Sequence, residues 1–301
     1  MSKFLKKIIV HSVLSLFLPF CLIGQFDQKL VKFDFREIDG NPYGIIKLYM
    51  KNERIKVKYF ASKDESGIPI MERFNDWAFS KKLVLVSSGT YYYYPNKNNR
   101  NKNTVLPVGI CVDNGKVINK STEANLGGLA MVYASGKIQV ENLKNNSITI
   151  RQRNGSTTSL NLADPFDKNL FFKWAEDVRA TVFQTHLFAY KNQLLIGQNA
   201  NNYKDYRRFL AVCTTSSGEL VHYIINLPFN STILEGSSKA IDYLKNIENV
   251  KDIAFIINLD TGAQNTLFSY HPKTGTPLPN PNFSGTKTLK DAINLIAYYY
   301  E

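Results

Sequence analysis

The most constraining feature of this chain is a succession of short apolar runs, each closed by a turn-forming pair, at a spacing too tight for helices to intervene regularly. Residues 83–86, 108–112, 116–118, 129–133, 138–140 and 148–152 read as strands. Asp113-Asn114-Gly115 separates the second and third, and Asn-Gly supplies the positive φ angles of a tight hairpin. Ser135-Gly136, Asn154-Gly155 and Ser216-Ser217-Gly218 punctuate later runs in the same way. Further strands are expected at 180–188, 194–196, 209–214, 220–225 and 253–259, the last being the most apolar. Near the start, Phe33, Asp34 and Phe35, then Ile45, Lys47, Leu48 and Tyr49, alternate apolar with polar, and with Ile55, Val57 and Tyr59 they predict a meander of antiparallel strands.

Helical spacing interrupts this pattern. Ile70, Phe74, Trp77 and Ala78 predict a helix over 69–82. A second is expected over 165–178, with Asp164 as N-cap before Pro165 and with Phe166, Leu170, Trp174 and Ala175 on its buried face. A third spans 232–246, turning Ile233, Ala240, Ile241 and Leu244 inward, and a short helix is expected at 289–298. With no regular βαβ repeat, the class is α+β: a mixed, largely antiparallel sheet with interspersed helices.

Lys3, Lys6 and Lys7 precede an apolar run from Ile8 to Ile23, the order of a secretory signal over residues 1–24, with cleavage after Gly24. An uncleaved anchor is the alternative, but the run is shorter than the ~20 residues of a spanning helix and holds Pro19, so no stable membrane span is expected after cleavage. Phe20 stands where a lipoprotein signal wants a small residue before Cys21. The rest divides into N-terminal strands over 25–68 and a main domain over 69–301, with surface loops at 95–104 and 272–285. Formal net charge is +12, falling to +9 without the three signal lysines. The basic residues are dispersed, and the one dense run, Lys97, Arg100 and Lys102, lies in an Asn-rich loop, so nucleic acid is not expected as partner. Cys111 and Cys213 sit in apolar strands, as free buried thiols or as one disulfide. No zinc-binding spacing is present, and no metal or cofactor is assigned.

At the end of the most apolar strand stands Asn258-Leu259-Asp260-Thr261-Gly262, which resembles the Asn-Leu-Asp-Gly-Gly-Gly-Ser of the phosphodiester glycosidase family. Four further landmarks recur in order. Residues 83–91 are similar to the family's strand and Ile-Asn-Gly-Gly-Phe-Phe turn, with Ser87 or Ser88 in place of its asparagine and Gly89 beside them. Pro107-Val108-Gly109 with Asp113-Asn114-Gly115 resembles its Pro-x-Gly hairpin, Gln184-Thr185-His186-Leu187 its Gln-x-x-Pro-Leu strand, and Arg207-Arg208 with the strand after them its Arg-Thr-Ala-Ile-Gly segment. The resemblance covers residues 69–270 and implies an exported, periplasmic or secreted hydrolase acting on a glycan or sugar-phosphate ligand.

Breaking a sugar–phosphate bond requires charge relief on the leaving phosphate and a carboxyl group to manage a proton or the cationic sugar. Asp260 is the candidate carboxylate, with His186 as acid or base. Arg207 or Arg208 is the candidate phosphate clamp through a planar fork of donors. Asn258 and Gln184 are expected to bind sugar hydroxyls, Gly262 to let backbone amides approach a phosphate, and Ser87 and Gly89 are further substrate-binding candidates. No carboxylate at a motif position accompanies Asp260. The same fold serving only to bind glycans, without catalysis, is the alternative.

Overall fold

Residues 30–38, 40–51, 54–61, 70–93, 105–195, 203–261, 265–271, 275–278, 289 and 292–301 are described by a computed structural model. The signal segment, the 95–104 loop, most of the 272–285 loop and Gly262 lie outside them. Strands are numbered along the chain and fall into three sheets. The first has seven strands in the order β1 (Val31–Ile38), β2 (Asn41–Tyr49), β17 (Leu220–Ser231), β16 (Asp205–Thr214), β18 (Asp252–Leu259), β14 (Leu187–Tyr190) and β15 (Gln193–Leu194). The second runs β10 (Ile138–Asn142), β9 (Gly128–Val132), β13 (Thr181–Thr185), β7 (Cys111–Asp113) and β8 (Lys116–Asn119). The third runs β20 (Pro277–Leu278), β19 (Leu267–Tyr270), β4 (Lys82–Ser87), β21 (Leu295–Tyr300) and β3 (Ile55–Phe60). Two hairpins, β5 (Tyr92–Tyr93) with β6 (Leu106–Pro107) and β11 (Ser147–Arg151) with β12 (Thr157–Asn161), complete the strands among the described residues.

Alternation along each strand divides the apolar residues between two sides. On β16, Leu210 and Val212 enter a central core with Ile224, Ile257, Ile296 and Phe183, where the three sheets face one another. Phe209, Ala211 and Cys213 turn the other way, onto α3 (Ile233–Asp242). The second sheet's outer side packs on α2 (Pro165–Asp177) and the β11–β12 hairpin, and the third's on α1 (Ile70–Ala78). Each sheet thus carries apolar side chains on both faces, and a helix keeps the outer one from water. Each large side chain so covered contributes ~1.5–3 kcal/mol.

Several expectations change. Every pairing among the described residues is antiparallel, so the sheet is not mixed, and three short helices beside these strands make the chain more β than α+β. The N-terminal meander divides: β2 pairs with β17 but β3 pairs with β21 in another sheet. The helix expected at 289–298 is replaced by β21, whose first five residues are buried, because a continuous apolar run fits a strand covered on both faces as well as a helix. On α2 the buried face is Phe171, Phe172, Trp174 and Ala175, whereas Phe166 is 69% exposed and Leu170 39%. Cys111 belongs to the central core and Cys213 to the α3 side of the first sheet, and both are free thiols rather than a disulfide.

The expected strand 180–188 breaks at His186. Its first half, β13, pairs with β9 and β7 in the second sheet, and its second half, β14, pairs with β18 in the first. His186 therefore stands where the chain passes between sheets.

Candidate functional site

The ends of β4, β13 and β18 meet at this crossing and are stitched together by hydrogen bonds. Asp260 N donates to Gly89 O at 2.9 Å and Ser88 N to Thr266 O at 2.9 Å. Thr90 Oγ1 donates to Gln184 O at 2.6 Å, Thr185 Oγ1 to Asn258 O at 2.6 Å, and Asn258 N to His186 O at 3.1 Å. Asn294, just before β21, accepts from Gly89 N and Thr90 N at 2.7 and 2.9 Å and returns a bond from Nδ2 to Thr90 O. Ser88 Oγ donates to the Asp260 carbonyl.

Arg208, wholly buried, lies beneath this crossing. Its Nε donates to Asn226 Oδ1 at 3.1 Å and its Nη2 to Asn265 Oδ1 at 2.6 Å. Nη1 reaches Ser87 Oγ, Ser88 Oγ and Thr266 O at 3.2, 3.2 and 2.8 Å. Burial pushes the guanidinium down to about 9, against the opposing pull of Asp260. Each nitrogen of the fork already donates within the protein, so Arg208 organises the segments around Asp260.

Asp260 is half-buried, just beyond β18. Its charge acts on the phenol of Tyr91, whose pKa is raised first by burial and then by Asp260, with Arg207 opposing. Asp205 acts on the same phenol more weakly. Asn258 Nδ2 donates to the Tyr91 hydroxyl and, at 2.8 Å, to Leu259 O. Asn258 Oδ1 is buried without a hydrogen-bond partner among the described residues, and a buried acceptor left so costs about 1–3 kcal/mol unless a donor is supplied.

The His186 ring meets Tyr91 edge-on, with centroids 5.4 Å apart. Its pKa is lowered by burial first and the Arg207 cation second, with a hydrogen bond to the Asn125 backbone opposing. The imidazole is therefore neutral at neutral pH. Arg207 is largely buried, its Nε and Nη2 donating to Ser231 O and Tyr203 O at 3.0 and 2.6 Å. Its Nη1 makes no hydrogen bond among the described residues.

Beyond His186 opens a cleft of about 410 Å³, walled by the 122–127 loop, the 142–146 turn, Leu187, Phe188 and Leu195, and the first turn of α3. Among the described residues no group of three or more His, Cys, Asp or Glu could hold a metal ion, and no helix is long and apolar enough to cross a membrane.

Of the residues singled out from sequence, Asn258 and His186 touch Tyr91, and the charges of Asp260 and Arg207 act on its phenol. Gln184 is close but unavailable: its Oε1 accepts from Ile110 N and Glu123 N, and its Nε2 donates to Glu123 O and Leu126 O, so no position is left for a sugar hydroxyl. Ser87 is buried against Arg208. Gly89 answers to packing, since a Cβ there would lie 2.4 Å from Tyr59 Cε2. Gly262 lies outside the described residues. Thr261, where the family has a glycine, bonds its hydroxyl to Tyr206 O.

Sequence reasoning missed Asp205, Asn226, Asn265 and Asn294 as parts of this region. Asn226 and Asn294 left a signal, each being an amide inside an otherwise apolar run, which a strand tolerates only when the amide is paired.

Fold and site together define a β-rich protein with a polar cluster at a junction of sheets, opening into a cleft. No protein-family model matches the chain, and no curated protein matches it significantly. Among solved structures, the chain is similar to the zebrafish N-acetylglucosamine-1-phosphodiester alpha-N-acetylglucosaminidase catalytic domain auto-inhibited by its pro-peptide, with a TM-score of 0.46 and 12% identity over 90% of this chain and 82% of that one. It is similar to a hypothetical protein from Synechocystis, with a TM-score of 0.45 and 10% identity over 90% of this chain and 62% of that one. A protein from Burkholderia pseudomallei described as exported matches with a TM-score of 0.46 and 9% identity over 87% and 75% of the two chains. At these scores and identities the likenesses assign no activity to this chain.

Proposed function

We propose that the chain is an exported hydrolase of a glycosyl phosphodiester or a related glycan linkage, acting at the cluster around Tyr91. The observation that carries this reading is the convergence of Asp260, Asn258, His186 and Arg207 on one phenol beside the cleft, together with the ordered motifs. Hydrolysis breaks the bond from the anomeric carbon to the phosphate oxygen. The bonding electrons leave with the phosphate, water supplies the new hydroxyl, and its proton passes to a base. A phosphomonoester departs at neutral pH without being protonated, so that side needs a cation more than an acid. Arg207 is the cation for this role because Arg208 is wholly buried and each of its nitrogens already donates to the protein. Asp260 serves as base or as counter-charge to the cationic sugar, and the neutral His186 and the amide of Asn258 orient hydroxyls.

The test incubates the purified protein with a panel of sugar-1-phosphodiesters and compares Asp260→Asn. Turnover reduced by about a hundredfold or more is expected, the scale of a lost acid–base group. Equal rates, or none from the unaltered protein, would remove the enzyme reading. The saturated Gln184 and the engaged Arg208 favour a second reading, a glycan-binding protein without catalysis. Binding without turnover, indifferent to Asp260→Asn, supports it.

A further inference from the structure

The cleft beyond His186 holds none of Asp260, Asn258 or Arg207 in its walls, yet shares His186 with their cluster. One side is apolar, built by Leu187, Phe188, Leu195 and Ile233. The other carries hydroxyl and amide groups, Thr122, Asn125, Asn142 and Asn146, with one carboxylate, Glu123, and one lysine, Lys144, among the described residues. Gln184 gives this wall its shape, since three of its four bonds to the backbone hold Glu123 and Leu126 in place and the fourth ties them to Ile110. About 410 Å³ falls within the ~300–1,000 Å³ of small-molecule pockets and is more than the reacting sugar by itself would need.

We propose that this cleft is a subsite for the next units of an extended, uncharged oligosaccharide, one apolar face of the glycan lying on Phe188 and Ile233 and its hydroxyls meeting the amide wall. The balance of charge carries the choice of ligand. One lysine against one glutamate gives a polyanion no net attraction, while amides serve the alternating donors and acceptors of hydroxyls. The inference rests on the proposed function only in placing the reacting end of the glycan on the Tyr91 side of His186.

Its test is binding, measured by calorimetry without reference to turnover, using neutral gluco-, manno- and galacto-oligosaccharides of one to four units. In at least one series the tetrasaccharide binds about tenfold or more tighter than the monosaccharide. Leu234→Arg and Thr122→Trp, which fill the cleft from two sides, abolish that gain. Both variants keep the far-ultraviolet circular dichroism of the unaltered protein, and neither touches the Tyr91 cluster. Affinity independent of chain length in every series, length dependence that survives both variants, or preference for inorganic polyphosphate over every neutral series would overturn the proposal. Length-dependent binding without hydrolysis would leave it standing while removing the enzyme reading, and hydrolysis of sugar-1-phosphodiesters without length-dependent binding would do the reverse.

Discussion

Arg208 makes five hydrogen bonds to neutral partners and is wholly buried, so its substitution strands acceptors as well as removing a charge. Arg208→Met leaves Asn226, Asn265 and the Thr266 carbonyl without their donor, and a loss of about 3 kcal/mol or more is expected in urea unfolding. Arg208→Lys, which keeps the charge but not the fork, falls between. A methionine variant as stable as the original would show that the guanidinium does not hold the strand ends together. From sequence the two arginines were equivalent. Their difference arises because neighbours on a strand face opposite sides: Arg208 lies over the buried junction, while Arg207 packs its stem against Gly236 of α3.

Local chemistry governs the elements that sequence reading located best. Asp164 caps α2, accepting from Phe166 N and Asp167 N at 2.9 Å each, with Pro165 as the first helical residue. Asp164→Ala is expected to cost about 1 kcal/mol in thermal or urea unfolding and Asp164→Asn much less, because an asparagine oxygen caps equally well. An alanine variant without loss would mean that α2 is held by packing alone. The β7–β8 hairpin forms at Asn114-Gly115, with φ of 50° and 90°, as its residues require. Thr232 and Glu235 close a capping box on α3. The weakly apolar strand β12 went unread because Leu160 is its one buried residue and β11 is its one strand partner among the described residues.

Across the whole molecule, His222 of β17 and Tyr298 of β21 join the first and third sheets through the central core, with Nδ1 and the hydroxyl 3.1 Å apart. Burial pushes the imidazole down from 6.5 to about 3. Between those values the unfolded chain holds the proton and the folded chain does not, so stability is complete above pH 6.5 and declines as pH falls toward 3. His186 is lowered too and adds in the same direction. The expected result is unfolding free energy, measured by urea titration at successive pH values, that drops below pH 6.5, with the drop smaller in His222→Gln. An identical pH profile in that variant would mean that other groups set the acid limit.

The sequence by itself determined the strand-rich class, the turns, the capped helices and the order of motifs, because each depends on residues within a few positions of one another. It also brought Asp260, Asn258, His186 and Arg207 into consideration. Only the tertiary structure decided that β3 and β2 part into different sheets, that the chain crosses between sheets at His186, and that Gln184 and Arg208 are consumed by the protein itself. Those outcomes rest on pairings between distant strands, where one apolar run can satisfy several neighbours and only close packing selects among them.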